Sequence, residues 1–158
     1  MEKRMFRKKD PLLPEWPGIP GSKGDPYFPH EADIGIETTG KTLEEAFVHA
    51  AEATFSLMTD PATVHSLQMV DLSFTEPDEE LALTIWINRL LAESDIRRLA
   101  FGRFELKRNT AGHWHGRAIG EPWNDTHPRG IEVKGATLTQ LSVKHEGDLW
   151  TVRLVVDV

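Results

Sequence analysis

The chain reads as a single α+β domain, with two main helices packed on an antiparallel or mixed β-sheet. Three observations predict this. Two stretches carry apolar residues at helical spacing, about six others alternate apolar and polar residues as strands do, and most strand-to-strand links are of hairpin length. At 158 residues with 39% apolar content, the chain can bury one core of ordinary size.

Residues 1–26 read as an extended tail. A basic start (Lys3, Arg4, Arg7, Lys8, Lys9) runs into Pro11, Pro14, Pro17, Pro20 and Pro26, which removes backbone donors and gains little from packing. The domain is expected over 27–158. Within the tail, Gly21-Ser22-Lys23-Gly24 lacks the spacing and the preceding strand of a phosphate-binding loop. A short strand is expected from Asp33 to Thr39, ended by Gly40. Thr42 and Glu45 then form a capping box, and Leu43, Ala46, Phe47, Ala50, Thr54 and Leu57 define a helix that Asp60-Pro61 stops. The acids Glu44 and Glu45 complement the dipole at its start. Val70, Leu72 and Phe74 mark the next strand.

A second helix is expected over about 78–93, with Leu81, Ile85, Leu90 and Leu91 on its apolar face and Trp86 beside it, its indole N–H needing an acceptor. Strands over 101–107 and 114–119 are joined by Asn109-Thr110-Ala111-Gly112. Odd-numbered positions from Ile131 to Val143 suggest one long strand bulged near Gly135, and a His145-Glu146-Gly147-Asp148 turn leads to the last strand, Leu149 to Val158. On that strand Trp150, Val152, Leu154 and Val156 share one face, and Arg153 and Asp157 share the other.

Composition excludes several functions. Eighteen basic against 25 acidic residues give a net charge of −7, which disfavours attraction to free nucleic acid, so any RNA is expected to be held by a partner. No cysteine is present, so disulfides, thiolate zinc sites and a cysteine nucleophile are absent. No stretch approaches the ~20 apolar residues of a membrane span and no signal-peptide core is visible, so no membrane is expected and the cytoplasm is the expected compartment.

Asp33 and Asp157 are the candidate site residues. Each carboxylate lies at the edge of an apolar strand, where a cation or hydrogen-bond donors must offset its desolvation, and a shared divalent ion is the simplest account. The plainer readings are a strand-start carboxylate accepting backbone N–H groups and a solvated acid on an edge strand. His30 could orient Asp33, move a proton, or merely cap the strand entry. His113 and His115 lie two apart on one strand face, but zinc would need a third ligand. Trp86, Trp114, Trp123 and Trp150 suit packing better than base stacking.

From Phe28 to Val158 the chain resembles the archease family. The phrases that carry the likeness are Phe28-Pro29-His30-Glu31-Ala32-Asp33-Ile34-Gly35-Ile36, Gly40-Lys41-Thr42-Leu43-Glu44-Glu45-Ala46-Phe47 and Met58-Thr59-Asp60. Further on come Trp86-Ile87-Asn88-Arg89-Leu90-Leu91, Gly120-Glu121-Pro122, Glu132-Val133-Lys134 and Val156-Asp157-Val158. The resemblance implies a non-enzymatic accessory protein, with no catalytic residues of its own. Its partner would be the RtcB-type RNA ligase, which uses GTP to join a 3′-phosphate or 2′,3′-cyclic phosphate end to a 5′-hydroxyl in tRNA splicing or RNA repair. The accessory protein would promote ligase guanylylation and repeated turnover.

The resemblance further implies a divalent-cation site of Asp33, Asp157 and the main-chain oxygen of Val158, for Ca²⁺ first, with Mg²⁺ or Mn²⁺ as alternatives; oxygen donors suit such hard ions. Lys134 corresponds to a family lysine tied to activation, and could contact nucleotide phosphate or a ligase carboxylate. Two departures stand out. Glu31 replaces the usual threonine and adds an acid near Asp33, and Ile85 stands where relatives commonly carry an acid. A stand-alone metal-dependent phosphohydrolase using Asp33, His30 and Asp157, and a chaperone-like binding module, are the rival readings.

Overall fold

A computed structural model describes residues 26–30 and 33–158, without the side chains of Pro29 and His30. The expected tail, apart from Pro26, and Glu31 lie outside the described residues, as does Gly21-Ser22-Lys23-Gly24. The elements run β1 (Tyr27–His30), β2 (Asp33–Gly40), α1 (Leu43–Ser56), β3 (Gln68–Thr75), α2 (Glu79–Arg97), β4 (Leu99–Arg108), β5 (His113–Pro122), β6 (Gly135–Glu146) and β7 (Leu149–Asp157). The α+β class is as expected. The strands form two sheets, ordered β1-β2-β7-β6 and β3-β5-β4, and every pairing is antiparallel.

Local chemistry fixes the helix ends. Thr42 Oγ1 accepts from Glu45 N at 3.0 Å, while Glu45 Oε1 accepts from Lys41 N at 2.6 Å, so the capping box closes one residue earlier than the standard pattern. Asp78 caps α2 by accepting from Leu81 N at 2.9 Å. That helix runs past the expected end near 93 to Arg97, and Arg98 closes it in the left-handed conformation at φ 56°. Its buried face is Ala82, Leu83, Trp86, Ile87, Leu90 and Leu91; Leu81, expected on that face, is 42% exposed. Leu81 donates its backbone N–H to the cap and sits on the rim of the first turn.

Three strand expectations need correction. β1 went unpredicted because Pro29 interrupts it, although proline is tolerated on an edge strand, where its missing N–H faces no partner. The long strand expected from Ile131, β6, starts at Gly135. Before it, Ile131 N bonds Leu57 O at 2.7 Å and Gly130 N bonds Met58 O at 2.9 Å, which commits that segment to the end of α1. The irregularity in β6 falls between Thr137 and Ser142, with Gln140 at φ 53°, and not near Gly135.

One core joins both sheets and both helices. Phe47 of α1 stacks on Trp114 of β5 at 4.9 Å between ring centroids, and Phe74 of β3 covers the same indole at 5.9 Å. Trp86 is fully buried, and its Nε1 donates to Phe47 O at 3.0 Å, so one indole both fills the core and ties α2 to α1. Neither described helix is long and apolar enough to cross a membrane. Trp86→Ala is expected to lower unfolding stability by about 3–5 kcal/mol in urea denaturation, through the cavity it leaves and the acceptor it orphans.

Candidate functional site

β2 and β7 are neighbours in the middle of the four-stranded sheet. Their register pairs Ile34 with Val156, Ile36 with Leu154 and Thr38 with Val152, and all six side chains are buried against the core. Sliding the pairing by one residue would turn that whole face to solvent, so burial fixes the register. One step beyond the Ile34 and Val156 pair, the same register sets Asp33 across from Asp157, on the face away from the core. Asp33 is half-buried and Asp157 exposed.

A small cluster on this outer face holds β1 in place. Phe28 lies opposite Gly35, and a Cβ at Gly35 would meet the Phe28 ring carbons at 2.2 Å, so the phenyl ring lies directly on the glycine. The Arg153 guanidinium lies over that ring, 4.0 Å from its centroid, with Nε 3.4 Å from Glu37 Oε1. The Arg153 Nε has no hydrogen-bond partner among the described residues, so ring and carboxylate hold it as a charge and not through a directed bond.

β6 flanks β7 on its other side, pairing Gly135 with Asp157, and Lys134 N donates to Asp157 O at 2.8 Å. Val158 follows, half-buried, with its side chain against the core. Asp33, Asp157, Val158 and Lys134 therefore meet at one end of one sheet. The alternation of side chains divides them. Asp33 and Asp157 project from the outer face, whereas Lys134 lines a cleft of about 1110 Å³ on the helix side. Glu31 and the His30 side chain lie outside the described residues. Among the described residues, no three His, Asp or Glu side chains gather into a metal-binding group. His113 and His115 are engaged at Nδ1 by Thr75 Oγ1 at 2.8 Å and Ser73 Oγ at 2.7 Å, and Ile85 is half-buried.

Sequence reasoning overlooked a second polar centre. Glu121, buried at 5% exposure, accepts at one oxygen, Oε2, from His65 N at 2.9 Å, and the same oxygen meets His65 Nδ1 at 3.0 Å and His127 Nε2 at 2.8 Å. Asn124 N donates to His127 Nδ1 at 3.0 Å, so the proton of a neutral His127 sits on Nε2 and points to the carboxylate. The backbone hydrogen bond from His65, followed by that from His127, lowers the Glu121 pKa to about 2 from the usual 4.5. The signal was present in Gly120-Glu121-Pro122, an acid closing a strand with histidines on either side in the sequence.

The comparisons with known proteins bear on this geometry. Residues 26–158 match the model of the archease protein family. The chain belongs to that family. It is 35% identical over 134 residues to the protein archease of Sulfolobus acidocaldarius, covering 84% of this chain and 96% of the relative. With the protein archease of Methanothermobacter thermautotrophicus it shares 32% identity over 139 residues, covering 86% and 99%. The solution structure of Methanobacterium thermoautotrophicum protein 1598 superposes with a TM-score of 0.74 at 31% identity, over 84% of this chain and 96% of that one. The crystal structure of an archease from Thermotoga maritima, described as a possible chaperone, gives 0.62 at 20% identity over 82% and 93%, and speaks to the fold alone.

Two outcomes test these arrangements. Gly35→Ala is expected to displace Phe28 and to cost about 1–3 kcal/mol, read as a lower urea midpoint. For Glu121 the folded pKa is depressed, so its contribution to stability is present above pH 4.5 and is lost as pH falls towards 2. The difference in melting temperature between wild type and Glu121→Gln should therefore be full at neutral pH and close across that acid window.

Proposed function

We propose that this archease-family protein is an accessory factor of an RtcB-type RNA ligase, promoting ligase guanylylation and multiple turnover in tRNA splicing or RNA repair, with no catalysis of its own. The observation that carries the reading is the register of β2 on β7, which presents Asp33 and Asp157 side by side at an exposed sheet end. The oxygen donors of two carboxylates at one sheet end suit a hard divalent ion. Asp33, Asp157 and the main-chain oxygen of Val158 would hold it, Ca²⁺ first and Mg²⁺ or Mn²⁺ as alternatives. When bound, such an ion supplies positive charge for phosphate oxygens.

The chain's own part is positioning. Burial of Ile34, Ile36, Leu154 and Val156 keeps the two acids in place without the partner, so little order has to be gained on docking. Lys134, tied through its backbone to Asp157, adds an exposed ammonium at the same sheet end for a nucleotide phosphate or a ligase carboxylate. The partner is the ligase, which uses GTP, and docking is transient; RNA is reached through the ligase, in the cytoplasm and away from any membrane.

The deciding experiment is RNA ligation at substoichiometric ligase. Wild type is expected to raise the number of turnovers, and Asp33→Ala or Asp157→Ala to abolish that gain with an unchanged circular dichroism spectrum. Stimulation retained in both variants would remove the site, and release of phosphate from a phosphoester by the purified protein alone would make it an enzyme.

A further inference from the structure

The cleft that Lys134 lines runs between the C-terminal half of α2 and the connection from β5 to β6. At about 1110 Å³ it lies at the top of the ~300–1000 Å³ range of ligand sites, more than a single small group requires. Twelve lysines and arginines follow residue 25, and three of them, Arg98, Arg129 and Lys134, line this one cleft. Five of the twelve, Arg97, Arg103, Arg108, Arg117 and Arg153, are paired; of the seven without an ion-pair partner among the described residues, three line this cleft. In an acidic protein this is a local patch of unspent positive charge.

The cleft also carries a planar surface. The Arg129 guanidinium lies 3.7 Å from the Trp123 ring centroid, and the His127 ring meets the Trp123 indole edge-on at 5.7 Å. The segment bearing Trp123 and Arg129 has no regular secondary structure, yet it is pinned throughout. His127 bonds buried Glu121, Thr59 Oγ1 donates to Pro128 O at 2.8 Å, Gly130 N to Met58 O, and Trp123 N to Arg98 O at 3.2 Å. The last bond joins the two walls. The platform is thus preformed, and the Glu121 centre is what fixes it.

Beyond the access to RNA that the ligase gives, we infer that this cleft makes a direct contact of its own and binds single-stranded RNA, with phosphates against Arg98 and Lys134 and a base on the Trp123–Arg129 platform. An acidic peptide would use the cations but would have no use for the stacked ring and guanidinium, which suit a nucleobase face. The acids Asp95 and Glu132 on the same walls offset part of the positive charge towards any anion, but can accept from ribose hydroxyls or exocyclic amines, donors that an acidic side chain lacks. The choice of RNA rests on the ligase reading above. Because Lys134 borders both the cleft and the Asp33 and Asp157 edge, a strand in the cleft would lead to the end being joined.

Titration of the full chain with hexauridylate and, separately, with a hexaglutamate peptide tests this by NMR. The Trp123 indole N–H, assigned with Trp123→Phe, and the Gly130 amide should shift with RNA. The Arg98→Glu/Arg129→Glu variant should bind about tenfold or more weakly, and added salt should weaken wild-type binding. No shift with RNA, or shifts at lower concentration with hexaglutamate, would overturn the inference. In the ligase assay the same variant should leave RNA-free guanylylation stimulated while raising the KM for RNA about tenfold. An unchanged KM would again overturn the cleft assignment. If wild type stimulates nothing, the ligase reading fails, and the NMR titration still decides the cleft.

Discussion

Strands β2 and β7 lie side by side in the centre of the four-stranded sheet, and burial of one face leaves their register no freedom to slide. Ile34, Ile36, Val152, Leu154 and Val156 look inward at the helices, so the residues between and beyond them must look outward. Asp33 and Asp157 inherit their positions from this alternation and need no interaction of their own to be brought together. The outward face is then stiffened by a layer of its own, the Phe28 ring pressed on Gly35 and capped by Arg153. Packing on the inside thus determines chemistry on the outside.

Aromatic groups join the three-stranded sheet to α1 and the two helices to each other. Trp114 stacks with Phe47 and with Phe74, and Trp86 ties α2 to α1 with its indole hydrogen bond. This arrangement places the end of α1 where it can receive the backbone of Gly130 and Ile131. The long β5–β6 connection is therefore a supported wall and not a loose excursion, and it is this wall that faces α2 across the cationic cleft.

Much of the fold was legible because its signals are local. The Thr42 cap, the Asp60-Pro61 stop, the alternation in β3 and β7 and the Asn109 to Gly112 turn each depend on neighbours in sequence. Gly112 takes φ 82° there, as that turn chemistry demands. The division into two sheets was not legible, since period-two patterning says which way a side chain points but not which strand lies beside it. The residues around Ile131 and Val133 alternate like a strand, yet their backbone groups go to α1 and to Asp157. Of the site, the two aspartates stood out as acids at the edges of apolar runs. The Glu121 centre did not, because its histidines, His65 and His127, are 62 positions apart and converge only in space. The tryptophans divide likewise. Trp86 and Trp114 are core, as composition suggests, whereas Trp123 is half-buried beneath an arginine that sequence spacing alone does not associate with it.

Sheet order has a kinetic corollary. The two aspartates come from the second and the final strands of the domain, so the first cannot meet the other until nearly everything between has been synthesised and has collapsed. A nascent chain lacks Asp157, and a partly melted one carries both acids on strands that no longer pair. On the function proposed above, a partner that engages both acids at once would therefore recognise only completely folded molecules, without any separate checking device.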